Sequence, residues 1–188
     1  MTWATGWGAS EAVSAAELTK GVGAIGKVVP GSNVATMTVS SIPSVYAALL
    51  AICFCRSDNA SSSVPFYWRL NGDTGANYYY GRLQASSTLL VGNAGAASTV
   101  IYAGNMPAAT AAAGWHMVSG IFIPNYAGTV GHKSVLTFSG GGENTGENHE
   151  RGGGRWASTA AVTSVVAVCG TGNFVAGATR LVVYGMGG

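Results

Sequence analysis

Residues 66–83 read Phe-Tyr-Trp-Arg-Leu-Asn-Gly-Asp-Thr-Gly-Ala-Asn-Tyr-Tyr-Tyr-Gly-Arg-Leu, two aromatic-rich segments on either side of a polar turn. Gly72 and Gly75 can reach positive φ without steric cost, and Asn71 and Asp73 can bond the turn backbone, so the stretch predicts a β-hairpin. Strand alternation then places Phe66, Trp68 and Leu70 on one face and Tyr67, Arg69 and Asn71 on the other. A chain organised around such segments is β in character.

The same pattern continues along the chain. From residue 34 onward, apolar and β-branched runs recur roughly every ten residues with Gly, Asn, Pro or Ser between them, the signature of a sandwich or barrel. Candidate strands are 34–40, 45–56, 64–71, 76–84, 88–91, 98–102, 116–123, 132–138, 164–169 and 179–184. Helical periodicity is nearly absent. The expected architecture is all-β, an antiparallel sandwich of about nine or ten strands, with no fixed glycine period that would favour a β-helix or a collagen-like shaft. Two connections, the Ala-rich 103–114 and the polar, Gly-rich 139–154, are expected to be mobile loops.

Residues 1–33 differ from the rest: two tryptophans, six glycines and a short segment, 10–20, that could form a couple of helical turns capped by Ser10. They read as an N-terminal arm, with 34–188 as the β domain. The first residues lack the basic head and apolar run of a secretory signal, so export by that route is not expected. The longest apolar run, 46–55, is half of what a membrane-spanning helix needs and reads as a buried strand.

Only 9% of the 188 residues are charged, with nine basic and seven acidic side chains for a net charge of +2. That is far below the roughly 25% of ordinary soluble domains, and the arginines are scattered. Nucleic acid is a poor partner for such a chain. A surface this poor in charge favours association with copies of itself or with a larger partner, so much of it is expected to be interface. Cys53 and Cys55 lie two apart on one strand, too far for relaxed disulfide geometry, and three cysteines cannot all pair within the chain; buried free thiols are expected.

Candidate chemistry is sparse. Beyond the arm the glutamates are Glu143, Glu147 and Glu150, all in one Gly-rich stretch with His149; their spacing matches no standard metal loop, and a solvated loop is the expected state. Asp73 suits a turn better than a calcium shell. His116 and His132 have no adjacent nucleophile with a third partner. The run Gly21-Val-Gly-Ala-Ile-Gly26 meets GxGxxG on spacing, but Lys27-Val-Val-Pro-Gly comes next where a dinucleotide site needs a helix and a distant acid. No catalytic residue, metal or cofactor is assigned. The aromatic block Trp68, Tyr78, Tyr79 and Tyr80 could stack on sugar rings, although aromatics at alternating strand positions more often fill a core.

Three stretches carry a resemblance: Trp68-Arg-Leu-Asn-Gly-Asp-Thr-Gly-Ala-Asn-Tyr78, then Pro124-Asn-Tyr126 followed by His132-Lys133, then 172–187, which ends Arg-Leu-Val-Val-Tyr-Gly-Met-Gly. Over residues 45–187 the chain resembles virion structural proteins of tailed bacteriophages, departing from their pattern at Val183 before Tyr184-Gly185 and at Ala178. The resemblance implies a jelly-roll-like sandwich without catalysis. It further implies a capsid decoration, or cement, protein that forms a dimer or trimer and binds the major capsid protein, in a virion assembled in host cytoplasm. On that reading Trp3 and Trp7 are the candidate docking anchors, since aromatic anchors commonly carry much of a binding energy. The rival is a tail-fibre or tail-tip domain that grips host surface glycan through Trp68, Tyr78, Tyr79 and Tyr80 or the 139–154 stretch. Neither reading involves nucleic acid or membrane insertion.

Overall fold

A computed structural model of the chain describes residues 22–86, 89–143 and 146–187, with the backbone alone at 143, 146 and 147. The 1–21 stretch lies outside the described residues, and with it Trp3, Trp7 and the helical turns expected over 10–20. Strand follows strand: β1 (Val22–Val28), β2 (Thr36–Val39), β3 (Ala48–Cys55), β4 (Ser63–Leu70), β5 (Tyr78–Ser86), β6 (Leu89–Ser98), β7 (Ile101–Pro107), β8 (Met117–Pro124), β9 (Lys133–Glu143), β10 (Gly146–Trp156), β11 (Val165–Cys169) and β12 (Arg180–Met186). They form two antiparallel sheets, one of eight strands in the order β1-β12-β3-β8-β9-β10-β5-β6 and one of four in the order β2-β11-β4-β7. The protein is an all-β sandwich.

Alternation explains why the sheets face each other. In β4, Val64, Phe66, Trp68 and Leu70 are buried while Ser63, Pro65, Tyr67 and Arg69 are half-exposed. From the opposing sheet, Leu49, Ala51, Cys53 and Cys55 of β3, Met117, Ile121 and Ile123 of β8, and Leu181 and Val183 of β12 fill the same core. All three cysteines are buried and unpaired, and burial holds the Cys55 thiol well above the usual range.

Eight of the strands switch between the layers at every step but one: β1, β3, β8 and β12 lie in the large sheet, β2, β4, β7 and β11 in the small one, and only β4 and β7 follow each other within a sheet. The remaining four, the hairpins β5–β6 and β9–β10, are insertions that extend the large sheet past β8 and meet each other along the β10–β5 ladder.

Three expectations change. The 66–83 stretch does contain the turn, with Asn71 at φ 53° and Gly72 at φ 64°, yet β4 and β5 do not pair. β4 ladders with β11 and β7, and β5 with β10 and β6, so the chain crosses from one sheet to the other. The crossing is locked locally. Asp73 Oδ1 accepts from Gly75 N at 2.7 Å, and its Oδ2 accepts from Asn77 Nδ2 at 2.9 Å and Trp156 Nε1 at 2.7 Å. The Tyr78 hydroxyl caps the end of β4 through Leu70 N and O, each at 3.1 Å. Asn71 reaches across to Ala161 O, Thr163 N and Ser164 N.

Secondly, the 139–154 stretch is not a loop. It forms the ends of β9 and most of β10, with glycines supplying a backbone that pairs without needing side-chain burial. The Ala-rich connection likewise begins later than expected, because Ile101–Pro107 is β7. Between β7 and β8 the chain is pinned by Arg56, which donates to Ala111 O at 2.8 Å, Ala112 O at 2.9 Å and Trp115 O at 3.0 Å. Thirdly, part of the stretch read as an arm is β1, which pairs with β12 at the sheet edge.

Lys133 is 2% exposed and pairs with no carboxylate among the described residues; its Nζ donates to Gly128 O, Gly131 O and Thr159 O at 2.5, 3.1 and 3.2 Å. Three carbonyls match three protons, which lets an ammonium be buried, and desolvation lowers its pKa.

Hydrogen bonding from Trp156, then from Asn77 and Gly75, holds the Asp73 carboxyl below its ordinary range. A carboxyl titrating lower in the folded state than its unfolded value near 3.9 stabilises fully above that value and ceases to stabilise as pH falls through the folded pKa. Asp73→Ala should therefore lower Tm at pH 7 by about 2–8 °C, from roughly 1–2 kcal/mol after discounting for the partial exposure of the group. Thermal melts from pH 7 down to 2 should show the wild type losing this advantage below about pH 4, so that the two curves converge in acid.

Candidate functional site

The small sheet covers only part of the large one, and the large sheet has a second, outer face. In register across it stand Val182 and Tyr184 of β12, Leu50, Ile52 and Phe54 of β3, Val118 and Phe122 of β8, and Leu136 and Phe138 of β9. β3, β8 and β12 are thus apolar on both sides. Phe54 and Val118 are each 38% exposed and Leu136 60%, so this face lies open among the described residues. The outer face of the small sheet is more mixed, with Thr36 and Thr38 exposed and Tyr67 and Arg69 half-exposed.

Small residues let rings lie flat on the outer face. A Cβ at Gly120 would fall 2.1 Å from the Phe138 ring, one at Gly142 would meet the Trp115 indole at 3.0 Å, and Phe54 stacks on His116 with centroids 4.5 Å apart.

Over the inserted hairpins the face becomes a shallow trough of about 680 Å³. Gly81 and Gly153, paired across β5 and β10, form its floor; Leu83, Leu136 and Arg151 rise beside it, and Gly92 and Ala94 of β6 close one side. At the next outward-facing register position Arg155 lies over the Tyr79 ring at 4.5 Å, a cation–π contact.

The charged side chains described on this face are cationic. Lys27, Arg151, Arg155 and Arg180 point outward and are exposed, with His149 beside them, while Asp58 and Asp73 lie in connections and Glu150 on the inner side. Glu150 pairs there with Arg82 at 2.6 Å, their side chains 4% and 13% exposed, and the Arg82 guanidinium sits 3.7 Å from the Tyr102 ring centroid. His149 and Glu150, adjacent in the Gly-rich stretch, therefore occupy opposite faces of β10.

The proposed aromatic platform is taken apart by the same alternation. Trp68 and Tyr78 are fully buried; Trp68 Nε1 donates to Ser119 Oγ at 3.3 Å and Ser119 in turn to Ala103 O at 3.0 Å. Tyr79 faces the outer trough, and Tyr80 turns inward, its ring 2.4 Å from where a Cβ of Gly95 would stand. The four do not share a surface, and a sugar-stacking site made of all of them is not available.

The outer face was missed because 46–55 reads simply as a buried strand. An apolar run in β3, β8 and β12 alike, with only one small sheet to cover them, is the signal that would have found it. No family model, curated protein or solved structure matches the chain.

Trp68→Ala should cost about 3–5 kcal/mol of stability by opening a core cavity, whereas Tyr79→Ala should change stability by less than about 1 kcal/mol. Chemical denaturation of both variants checks the assignment; equal costs would contradict it.

Proposed function

We propose that the protein is a non-enzymatic assembly module, a phage virion structural protein of the capsid decoration type, which docks on a larger partner through the outer face of its eight-stranded sheet. The observation that carries this reading is the open apolar face. Seven interstrand spacings of about 4.8 Å and strands about nine residues long at 3.3 Å per residue give the whole outer face roughly 1,000 Å², room for the roughly 800 Å² that one partner contributes to a standard interface, with the apolar stretch from β12 to β9 inside it.

Two further points support it. The strand orders β1-β12-β3-β8 and β2-β11-β4-β7 in two facing sheets are compatible with an eight-stranded jelly roll, the plan implied by the resemblance to tailed-phage structural proteins. The cations described on the face, Lys27, Arg151, Arg155 and Arg180, suit a shell surface bearing carboxylates, which would steer the encounter and fix register. A tail-tip role through surface glycan has less support, because Trp68 and Tyr78 are core residues.

Co-sedimentation of the purified protein with undecorated heads, and in parallel with host cells, tests the reading. Saturable binding to heads is expected, with Leu136→Asp lowering affinity at least tenfold by placing a charge in the centre of the patch. Removing residues 1–21, which spares β1, separates the contribution of Trp3 and Trp7 from that of the face. Binding to cells alone, or heads bound equally well by Leu136→Asp, would overturn the proposal.

A further inference from the structure

Among the described residues the eight-stranded sheet ends at β6, and β6 is hydrogen-bonded only on its β5 side. Its ladder with β5 is regular from Leu89, opposite Ser86, to Gly95, opposite Tyr80. An extra residue then enters the β6 side, where Ala97 takes φ 49° and the regular ladder ends. Long edge strands are normally blunted by charge, proline or a bulge. Here the bulge guards one end only: the sequence Leu-Leu-Val-Gly-Asn-Ala-Gly has no charge and no proline, and Leu89, Leu90 and Val91 are 65%, 73% and 47% exposed.

We infer that β6 is the site where a second copy of this chain joins, by antiparallel pairing of β6 with its twin across a twofold axis at Gly92. This rests on the assembly reading above and names the self-association within it. Residues directly opposite in an antiparallel pair face the same side of the sheet, so the axis passes through a residue position, and Gly92 is the centre of the regular segment. Leu89 then stands opposite Gly95, Leu90 opposite Ala94 and Val91 opposite Asn93. Large residues in the first half of the strand meet small ones in the second half, a self-complementarity that an isologous contact requires. The Tyr80 ring roofs Gly95 on the inner side, where the incoming Leu89 packs beside it.

Charge selects this mode over the obvious alternative. Two copies meeting face to face would bring Lys27, Arg151, Arg155 and Arg180 against themselves, while edge pairing brings no charge together. The edge therefore takes the twin and leaves the cationic face for the shell. The two sheets become one, and the glycine-floored troughs, each closed by Gly92 and Ala94, run together across the axis.

Light scattering on the eluted full chain should give twice its 18.9 kDa mass. A Cβ at Gly92 makes only ordinary contact, 3.7 Å from Leu83 Cδ2, so Gly92→Lys fits the monomer yet opposes two ammonium groups at the axis; its mass should fall to the monomer value. Gly92→Cys, with its twin about 4.5–5.5 Å away Cα to Cα, should form a disulfide-linked dimer on mild oxidation, seen on a non-reducing gel, while Ser134→Cys on β9 should not. Amide exchange along 89–95 should be slow in the wild type and fast in Gly92→Lys. A wild-type monomer, a dimer that survives Gly92→Lys, or slow exchange in a monomer, meaning the chain's own residues cover the edge, would overturn the inference. Head binding by a monomeric wild type would refute the twofold pairing alone, and a dimer blind to heads would refute the decoration reading alone.

Discussion

A sheet of four strands can shield only about four strands of the sheet it packs on, and the protein pairs four with eight. Every other feature depends on that mismatch. The core forms where β2, β11, β4 and β7 overlie part of the large sheet, and there side chains alternate cleanly between buried and half-exposed. Where the large sheet runs beyond this cover, the inner side of β10 and β5 becomes polar, with Arg82 and Glu150 paired beneath Tyr102, because an apolar surface there would find only the edge strand β7 to pack against. The outer side has no second layer among the described residues, yet it stays apolar from β12 to β9. Two different answers to exposure on one sheet, polar inside the overhang and apolar outside, fit a molecule whose outer side is completed by something else.

The buried ion pair illustrates the same constraint from the electrostatic side. Burying Arg82 and Glu150 gains little net stability over an apolar pair of similar shape, but a displaced register would leave one charge without its partner in a dry environment. The pair joins β5 to β10, the ladder where the two inserted hairpins meet. It acts as a registry device at the one junction of the extension that no short turn enforces.

What the sequence made legible was local. The turn at Asn71 and Gly72, the alternation in 64–71, the burial of the three cysteines and the strand pattern from residue 34 all depend on nearest neighbours along the chain. What it hid was the choice of partner strand. Asn71-Gly72 favours a hairpin turn as strongly as any short signal, but the intervening Asp73 to Asn77 segment, fastened by Asp73 and Tyr78, lets β5 leave for the other sheet, and that preference comes from burial of Tyr78 beside Trp156. β10 was invisible for a different reason. Its residues, Gly-Glu-Asn-His-Glu-Arg-Gly-Gly-Gly-Arg, carry almost no hydrophobic signal, because its strand character comes from hydrogen bonds to β9 and β5 rather than from side chains. The outer face went unnoticed because apolar content says that a side chain will be covered, not whether its own fold or another molecule does the covering.

The floor of the trough separates two pressures that usually act together. At Gly81 a methyl group would enter open space, and the backbone there is ordinary extended strand, so neither sterics nor dihedral angle demands glycine. Folding alone would favour a β-branched residue, which is less costly to order and suits a strand. A bare position that the architecture does not need is a small standing loss of stability, on a surface that no described residue covers. Variation tolerated at Gly81 would thus report on contact with the outside world and be nearly silent about the integrity of the sandwich, making this single position a gauge of whatever the protein meets.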